Sequence, residues 1–176
     1  HARGGAGSSG RTLIVGHGVL GRLLARLGVV AGDEPIVWER NPLRRDGAQG
    51  YAVIDPDSDP RRDYQTIFDV SGDPDLLDVL ITHLAPGGEI VLAGFYERPL
   101  AFAFPPAFMR EARLRIAAQW RSEDLSGVTR LVDEGRLSLD ELITHRRFAI
   151  QASTAYPIAF NDPNCLKMVL DWRAAA

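Results

Sequence analysis

Residues 12–15 (TLIV) form an unbroken apolar run that passes directly into Gly16-His17-Gly18-Val19-Leu20-Gly21. Apolar residues then recur at Leu20, Leu23, Leu24, Leu27 and Val30. A short run with no polar alternation reads as a strand buried on both faces of a parallel sheet. The spacings of three and four that follow give an apolar helical stripe. A strand, a glycine-rich turn and a helix in that order leave few folds open. Parallel strands need crossover connections, and helices of this length supply them.

The alternation continues along the chain. Strands are expected over residues 35–38, 51–54, 66–70, 89–93 and 114–118. Helices are expected over 42–48, over 74–84, from the Pro-Pro pair at 105–106, and over 124–134. The Asp/Pro-rich stretch 55–63 reads as solvated connection. The fold class is therefore α/β, a Rossmann-type doubly wound parallel sheet spanning residues 12–127. Residues 1–11 (HARGGAGSSGR) are Gly/Ser-rich and read as a flexible linker or cloning scar. The pattern then opens abruptly on a core strand, so a further portion is expected to precede it.

Composition narrows the function classes. The 176 residues are 45% apolar with a net charge of −3, which suits one ordinary domain and gives no default case for nucleic acid. The single Cys165 allows neither an internal disulfide nor a Cys-rich zinc site, and it reads as a small buried hydrophobe. No His/Cys/Glu cluster has zinc spacing, so no metal is expected. No apolar run reaches about 18 residues, so no integral membrane segment is expected, and a cytoplasmic, reducing compartment is the simplest reading.

In its strand–turn–helix setting, each glycine of the G-x-G-x-x-G has a physical task. Gly16 permits the tight turn, Gly18 leaves room for a pyrophosphate at the backbone amides, and Gly21 lets helix and strand pack closely. The helix N-terminus offers unpaired donors and partial positive charge to phosphates. Glu39, closing IVWE 18 residues after Gly21, can accept both hydroxyls of an adenosine ribose. A carboxylate there repels a 2′-phosphate, which points to NAD rather than NADP. Arg40, Arg44 and Arg45 stand beside it and could shelter a phosphate. His17 reads as a solvent-facing loop residue that could donate to phosphate. A methyltransferase would share the glycine turn and the carboxylate; Gly21 and the later loops argue against it.

The phosphate loop VGHGVLG, the strand FDVSG (68–72), the stretch LAPGGEIVLAGF (84–95) and LITH (142–145) occur in one order. That pattern resembles the coenzyme-binding half of the medium-chain dehydrogenase/reductase superfamily across residues 12–172. The resemblance implies that the loops after the fourth and fifth strands border the nicotinamide. Val70, Ser71, Gly94 and Phe95 thereby join Gly16, His17, Gly18, Val19, Leu20, Gly21, Glu39 and Arg40 as expected cofactor-binding residues. It further implies that residues 128–176 return toward a catalytic domain outside this chain. Residues 165–172 would then be a strand without its partners: rearranged, mobile or covered by a neighbour. A homodimer joined near residues 100–104 is also implied. Residues 44–56, 94–120, 135–145 and 165–172 resemble more narrowly the dehydrogenases of bacteriochlorophyll synthesis. This implies a tetrapyrrole small-molecule substrate whose hydroxyethyl group is oxidised to acetyl without zinc, and a chain inactive on its own.

The catalytic base stays unassigned. His83 lies on a helix remote from the carboxyl ends of the strands, and His145 has no carboxylate at helical spacing. Tyr51, Tyr64 and Tyr156 carry no local pattern, and Tyr96 reads as a pocket wall. Asp69 is equally a plain strand-end acid or a site residue. Phe95, Tyr96, Phe102, Phe104 and Phe108 read as core packing or as a wall for a tetrapyrrole. Arg110, Arg113 and Arg115 read as a solvated face or as partners of a substrate carboxylate. A non-catalytic dinucleotide-binding or redox-sensing module remains an alternative, as does a reductase of another alcohol or carbonyl.

Overall fold

The computed structural model describes residues 11–173. Six parallel strands form one sheet: β1 (Thr12–Val15), β2 (Ile36–Trp38), β3 (Ala52–Ile54), β4 (Tyr64–Asp69), β5 (Leu84–Leu92) and β6 (Arg113–Ile116). Their order is β3-β2-β1-β4-β5-β6, with Val15 aligned on Trp38 at one side and on Asp69 at the other. The chain winds outward from β1 through β3, then returns to lay β4 on the opposite side. That reversal opens a crevice at the carboxyl ends of β1 and β4.

Strand alternation builds the two apolar layers. Leu13 and Val15 join Ile67, Ile90 and Leu92 on one face, where α2 (Leu77–His83) contributes Leu77, Leu80 and Ile81. Ile14 joins Val37, Phe68 and Val91 on the other, where α1 (Val19–Val30) contributes Leu24 and Ala25. Both faces of β1 are thus dry, as a central parallel strand requires. The chain continues through α3 (Phe104–Met109) and α4 (Ser122–Asp133). A separate two-stranded parallel sheet pairs β7 (His145–Phe148) with β8 (Met168–Asp171) across α5 (Ala152–Asn161). Among the described residues no helix is long and apolar enough to cross a membrane.

Several expectations need correction. The helix expected over 42–48 is a single 3-10 turn, Pro42–Arg44, with the Asn41 side chain accepting from the Leu43 amide at 3.0 Å. The Arg22 guanidinium takes the carbonyls of Arg44, Asp46 and Gly47 that a longer helix would have used. The helix expected over 74–84 starts only at Leu77, and the strand expected from 89 begins at Leu84. The stripe read on α1 is partly wrong: Leu20 is 43% exposed, while Arg22 and Arg26 are buried. Their charges are drawn inward by carbonyl oxygens, Arg26 binding those of Ser138 (2.8 Å) and Asp140 (3.0 Å). Stretch 55–63 is not simply solvated, because Asp59 is buried and accepts from Trp38 Nε1 (2.8 Å), Tyr64 (2.7 Å) and the Arg61 amide (2.9 Å). Burial would raise the Asp59 pKa, yet those three donors outweigh it and hold the carboxyl below its ordinary value. The late strand is not without a partner, since Met168–Asp171 pairs with β7.

His17 and His83 are both buried, and burial is the largest cause holding each imidazole pKa below its ordinary value. Their unfolded pKa is about 6.5, so the unfolded chain binds more protons as pH falls through that value. Their contribution to stability is fully present above about pH 6.5 and is lost below it. The urea midpoint is therefore expected to be lower at pH 5.5 than at pH 7.5. Equal midpoints would show that neither ring is kept neutral by the fold.

Candidate functional site

Local sequence sets the geometry of the crevice. Gly16 takes φ +106°, a conformation costly for any residue with a Cβ, and its amide donates to the Trp38 carbonyl at 2.9 Å. Gly21 sits so tightly on β1 that a Cβ would collide with the Gly16 carbonyl oxygen and come within 3.4 Å of Val70 Cγ2. At Gly18 a Cβ would meet no atom within 4 Å, so this part of the turn faces open space. Gly18 is the N-cap of α1, with no side chain capping the helix and no acidic residue in its first turn. The amides of Val19 and Leu20 therefore keep the free donors of a helix start. Val19 is half-buried and Leu20 exposed.

Glu39 stands at the mouth of the same crevice. Its Oε2 accepts from the His17 amide at 3.1 Å and its Oε1 from the Asn41 amide at 2.9 Å. Each oxygen keeps acceptor capacity, and the two bonds fix the carboxylate plane. The neighbouring arginines differ in availability. Arg45 is spent on the Glu39 carbonyl (2.8 Å), the Arg40 carbonyl (2.9 Å) and an ion pair with Asp55, and Arg44 on the Pro163 carbonyl (2.7 Å). Arg40 lines the crevice, whose volume is about 420 Å³.

His17 contradicts the solvent-facing expectation, because its ring is fully buried. Nδ1 lies 2.6 Å from the Arg44 carbonyl and Nε2 2.8 Å from the Tyr51 hydroxyl, so both ring nitrogens are already engaged. The ring is thus not a phosphate donor, and only the backbone of His17 touches the site.

At the ends of β4 and β5, Val70 donates to the Val15 carbonyl at 3.1 Å. Ser71 donates to Asp69 Oδ1 through its amide (3.0 Å) and its hydroxyl (2.7 Å). Tyr96 donates to Asp69 Oδ2 at 2.9 Å. Asp69 is therefore a buried acid that shapes both loops. Burial, then the Asp69 charge, pushes the Tyr96 hydroxyl well above its ordinary pKa, so Tyr96 is neither a free base nor a bare pocket wall. Gly94 presses on the other loop: a Cβ there would lie 3.0 Å from the Gly72 amide nitrogen. Phe95 is 89% exposed.

Sequence reasoning missed the crevice floor of Trp38, Asp59, Arg62 and His83. His83 is satisfied but not remote: its ring meets Trp38 edge-on at 4.6 Å, and Nδ1 lies 3.1 Å from Arg62 Nη1. The one available signal was Trp38, an indole closing a buried strand and needing an N–H partner. The other base candidates stand apart. Tyr51 bonds His17, Tyr64 bonds Asp59, Tyr156 stacks on Phe160, and His145 lies 3.9 Å from Asp162. The aromatic group also divides. Phe102, Phe104 and Phe108 line a separate groove of about 510 Å³ with Ile81, Met109 and Leu114. Arg110, Arg113 and Arg115 bond the Leu84 carbonyl, the Gly87 carbonyl and Glu89 respectively, rather than forming an open cationic face. Among the described residues no three His, Cys, Asp or Glu side chains converge as a metal site.

No model of a known protein family matches the chain. It is 59% identical over 176 residues to the 2-desacetyl-2-hydroxyethyl bacteriochlorophyllide A dehydrogenase of Rhodobacter capsulatus, covering 99% of this chain and 56% of that protein. It is 60% identical over 177 residues to the protein of the same name from Cereibacter sphaeroides, covering 100% of this chain and again 56% of that protein. The chain thus spans a little over half the length of these relatives. Among solved structures, it superposes with a TM-score of 0.82 on a short chain alcohol dehydrogenase from Escherichia coli CFT073 complexed with NADH. That match is 20% identical and covers 97% of this chain and 55% of that one, a likeness of fold.

Proposed function

Because the chain belongs to the medium-chain dehydrogenase/reductase superfamily, we propose that it binds NAD in the crevice between β1 and β4. The diphosphate lies against the amides of Gly18, Val19 and Leu20, where an uncapped helix start and an open Gly18 leave both donors and space. Glu39 receives the adenosine ribose hydroxyls, and Arg40 flanks them. Val70, Ser71, Gly94 and Phe95 border the nicotinamide. When bound, NAD supplies the hydride acceptor.

The observation that carries the reading is the Glu39 carboxylate, which two backbone amides hold at the crevice mouth with capacity left for two hydroxyl donors. A 2′-phosphate would meet that negative charge at close range. In a fluorescence titration of this chain, NADH is expected to bind at least tenfold more tightly than NADPH, a difference of about 1.4 kcal/mol. Tighter NADPH binding would overturn the assignment.

For the whole protein we propose oxidation of the hydroxyethyl side chain of a bacteriochlorophyllide. The carbinol carbon gives a hydride to NAD, the hydroxyl loses a proton, and an acetyl group remains. The names of two relatives, 59% and 60% identical to this chain, support this substrate. The reading carries with it a cytoplasmic, zinc-independent enzyme and a chain that binds NAD without turnover when alone. It also carries a homodimer joined near residues 100–104, where Phe102 and Phe104 are exposed. Incubating the full-length protein with NAD and the hydroxyethyl macrocycle should yield acetyl product; its absence would remove this substrate.

A further inference from the structure

We propose that His17 is a positioning residue whose buried ring locks the phosphate-binding turn and the Glu39 carboxylate into one unit; this rests on the NAD reading above. The turn at residues 16–18 carries a glycine on each side of His17, so its backbone has more freedom to lose than a turn flanked by residues with a Cβ. What restrains it is His17, bonded at four points. Its amide donates to Glu39 Oε2 at 3.1 Å. Its carbonyl accepts from Arg22 Nε at 3.2 Å. Its ring meets the Arg44 carbonyl at 2.6 Å and the Tyr51 hydroxyl at 2.8 Å.

These contacts dictate one tautomer. A carbonyl only accepts, so Nδ1 carries the proton, and the neutral Nε2 accepts from Tyr51. Burial is the main cause favouring the neutral ring; the Arg44 carbonyl opposes it, and the Arg22 charge adds to it. Arg22 also holds the carbonyls of Arg44, Asp46 and Gly47, so the ring is clamped against a stretch that is itself fixed. The amide given to the ribose acid and the turn that receives diphosphate thus share a single residue. Holding both in the bound geometry spares the ordering cost of binding.

The test is a double-mutant cycle on this chain with NADH as the probe. Affinity is read by fluorescence at a temperature where circular dichroism shows each variant folded. Removing one buried hydrogen bond is worth roughly threefold to tenfold in affinity if it acts through preorganisation. Tyr51→Phe, which takes one hydroxyl from behind the turn, should weaken NADH about threefold, and His17→Ala about tenfold. Tyr51→Phe should add nothing in the His17→Ala background. A merely structural role would lower the melting temperatures yet leave the folded variants' affinities unchanged. If His17→Ala does not fold, Tyr51→Phe alone decides, a threefold loss supporting the proposal and wild-type affinity overturning it. Wild-type chain that fails to bind NADH would remove the underlying reading. Wild-type binding with both variants within twofold of it would leave that reading intact and overturn this inference. So would a Tyr51→Phe loss of equal size without the His17 ring.

Discussion

Gly21→Ala is expected to abolish measurable NADH binding and to destabilise the chain by about 3 kcal/mol. A methyl group at this position would overlap the Gly16 carbonyl oxygen, which belongs to rigid backbone rather than to the end of a flexible side chain. Relief requires α1 to move off β1, or the turn at Gly16 to give up its φ of +106° and its bond to the Trp38 carbonyl. Either movement displaces the helix N-terminus from the crevice. Stability and affinity should thus fall together, as measured by urea unfolding and NADH fluorescence. A Gly21→Ala protein with wild-type stability would show that helix and strand are not so closely apposed.

Glu39→Ala is expected to weaken NADH about a hundredfold while NADPH loses far less. A hydrogen bond to a charged group contributes roughly 1.5–3 kcal/mol, and the ribose diol would make two, with some of that regained from water. Removing the carboxylate also takes away the repulsion of a 2′-phosphate and leaves the adjacent Arg40 lining the crevice. Glu39→Gln keeps one acceptor, so an intermediate loss of about tenfold is expected. Unchanged NADH affinity in Glu39→Ala would exclude Glu39 as the ribose acceptor.

Much of the architecture was legible because parallel strands buried on both faces leave continuous apolar runs, and glycine turns mark their ends. Leu13, Ile14 and Val15 are dry on both sides, and no polar residue interrupts them. Spacing alone marks Glu39 as a candidate, and the fold sets it against the His17 amide at the crevice. The rest depended on contacts between distant residues, which leave no period. Arg22 and Arg26 read as polar positions on α1, yet carbonyls at 44–47 and 138–140 draw them inward. Asp59 hides in an Asp/Pro-rich stretch whose composition says only loop; its partners Trp38 and Tyr64 belong to β2 and the start of β4. His17 occupies a position where sequence predicts exposure, and Tyr51, 34 residues away, turns it inward. The aromatic residues of 102–108 stand close to Phe95 and Tyr96 in sequence, whereas α3 and the segment leading into it carry them to a groove of their own.

The structure of the chain crystallised with NAD is the most direct measurement. Phosphate oxygens within hydrogen-bond distance of the Val19 or Leu20 amide, with the adenosine ribose hydroxyls on Glu39, are the predicted result. An empty crevice at saturating NAD, or a nucleotide bound with its ribose away from Glu39, would contradict the account.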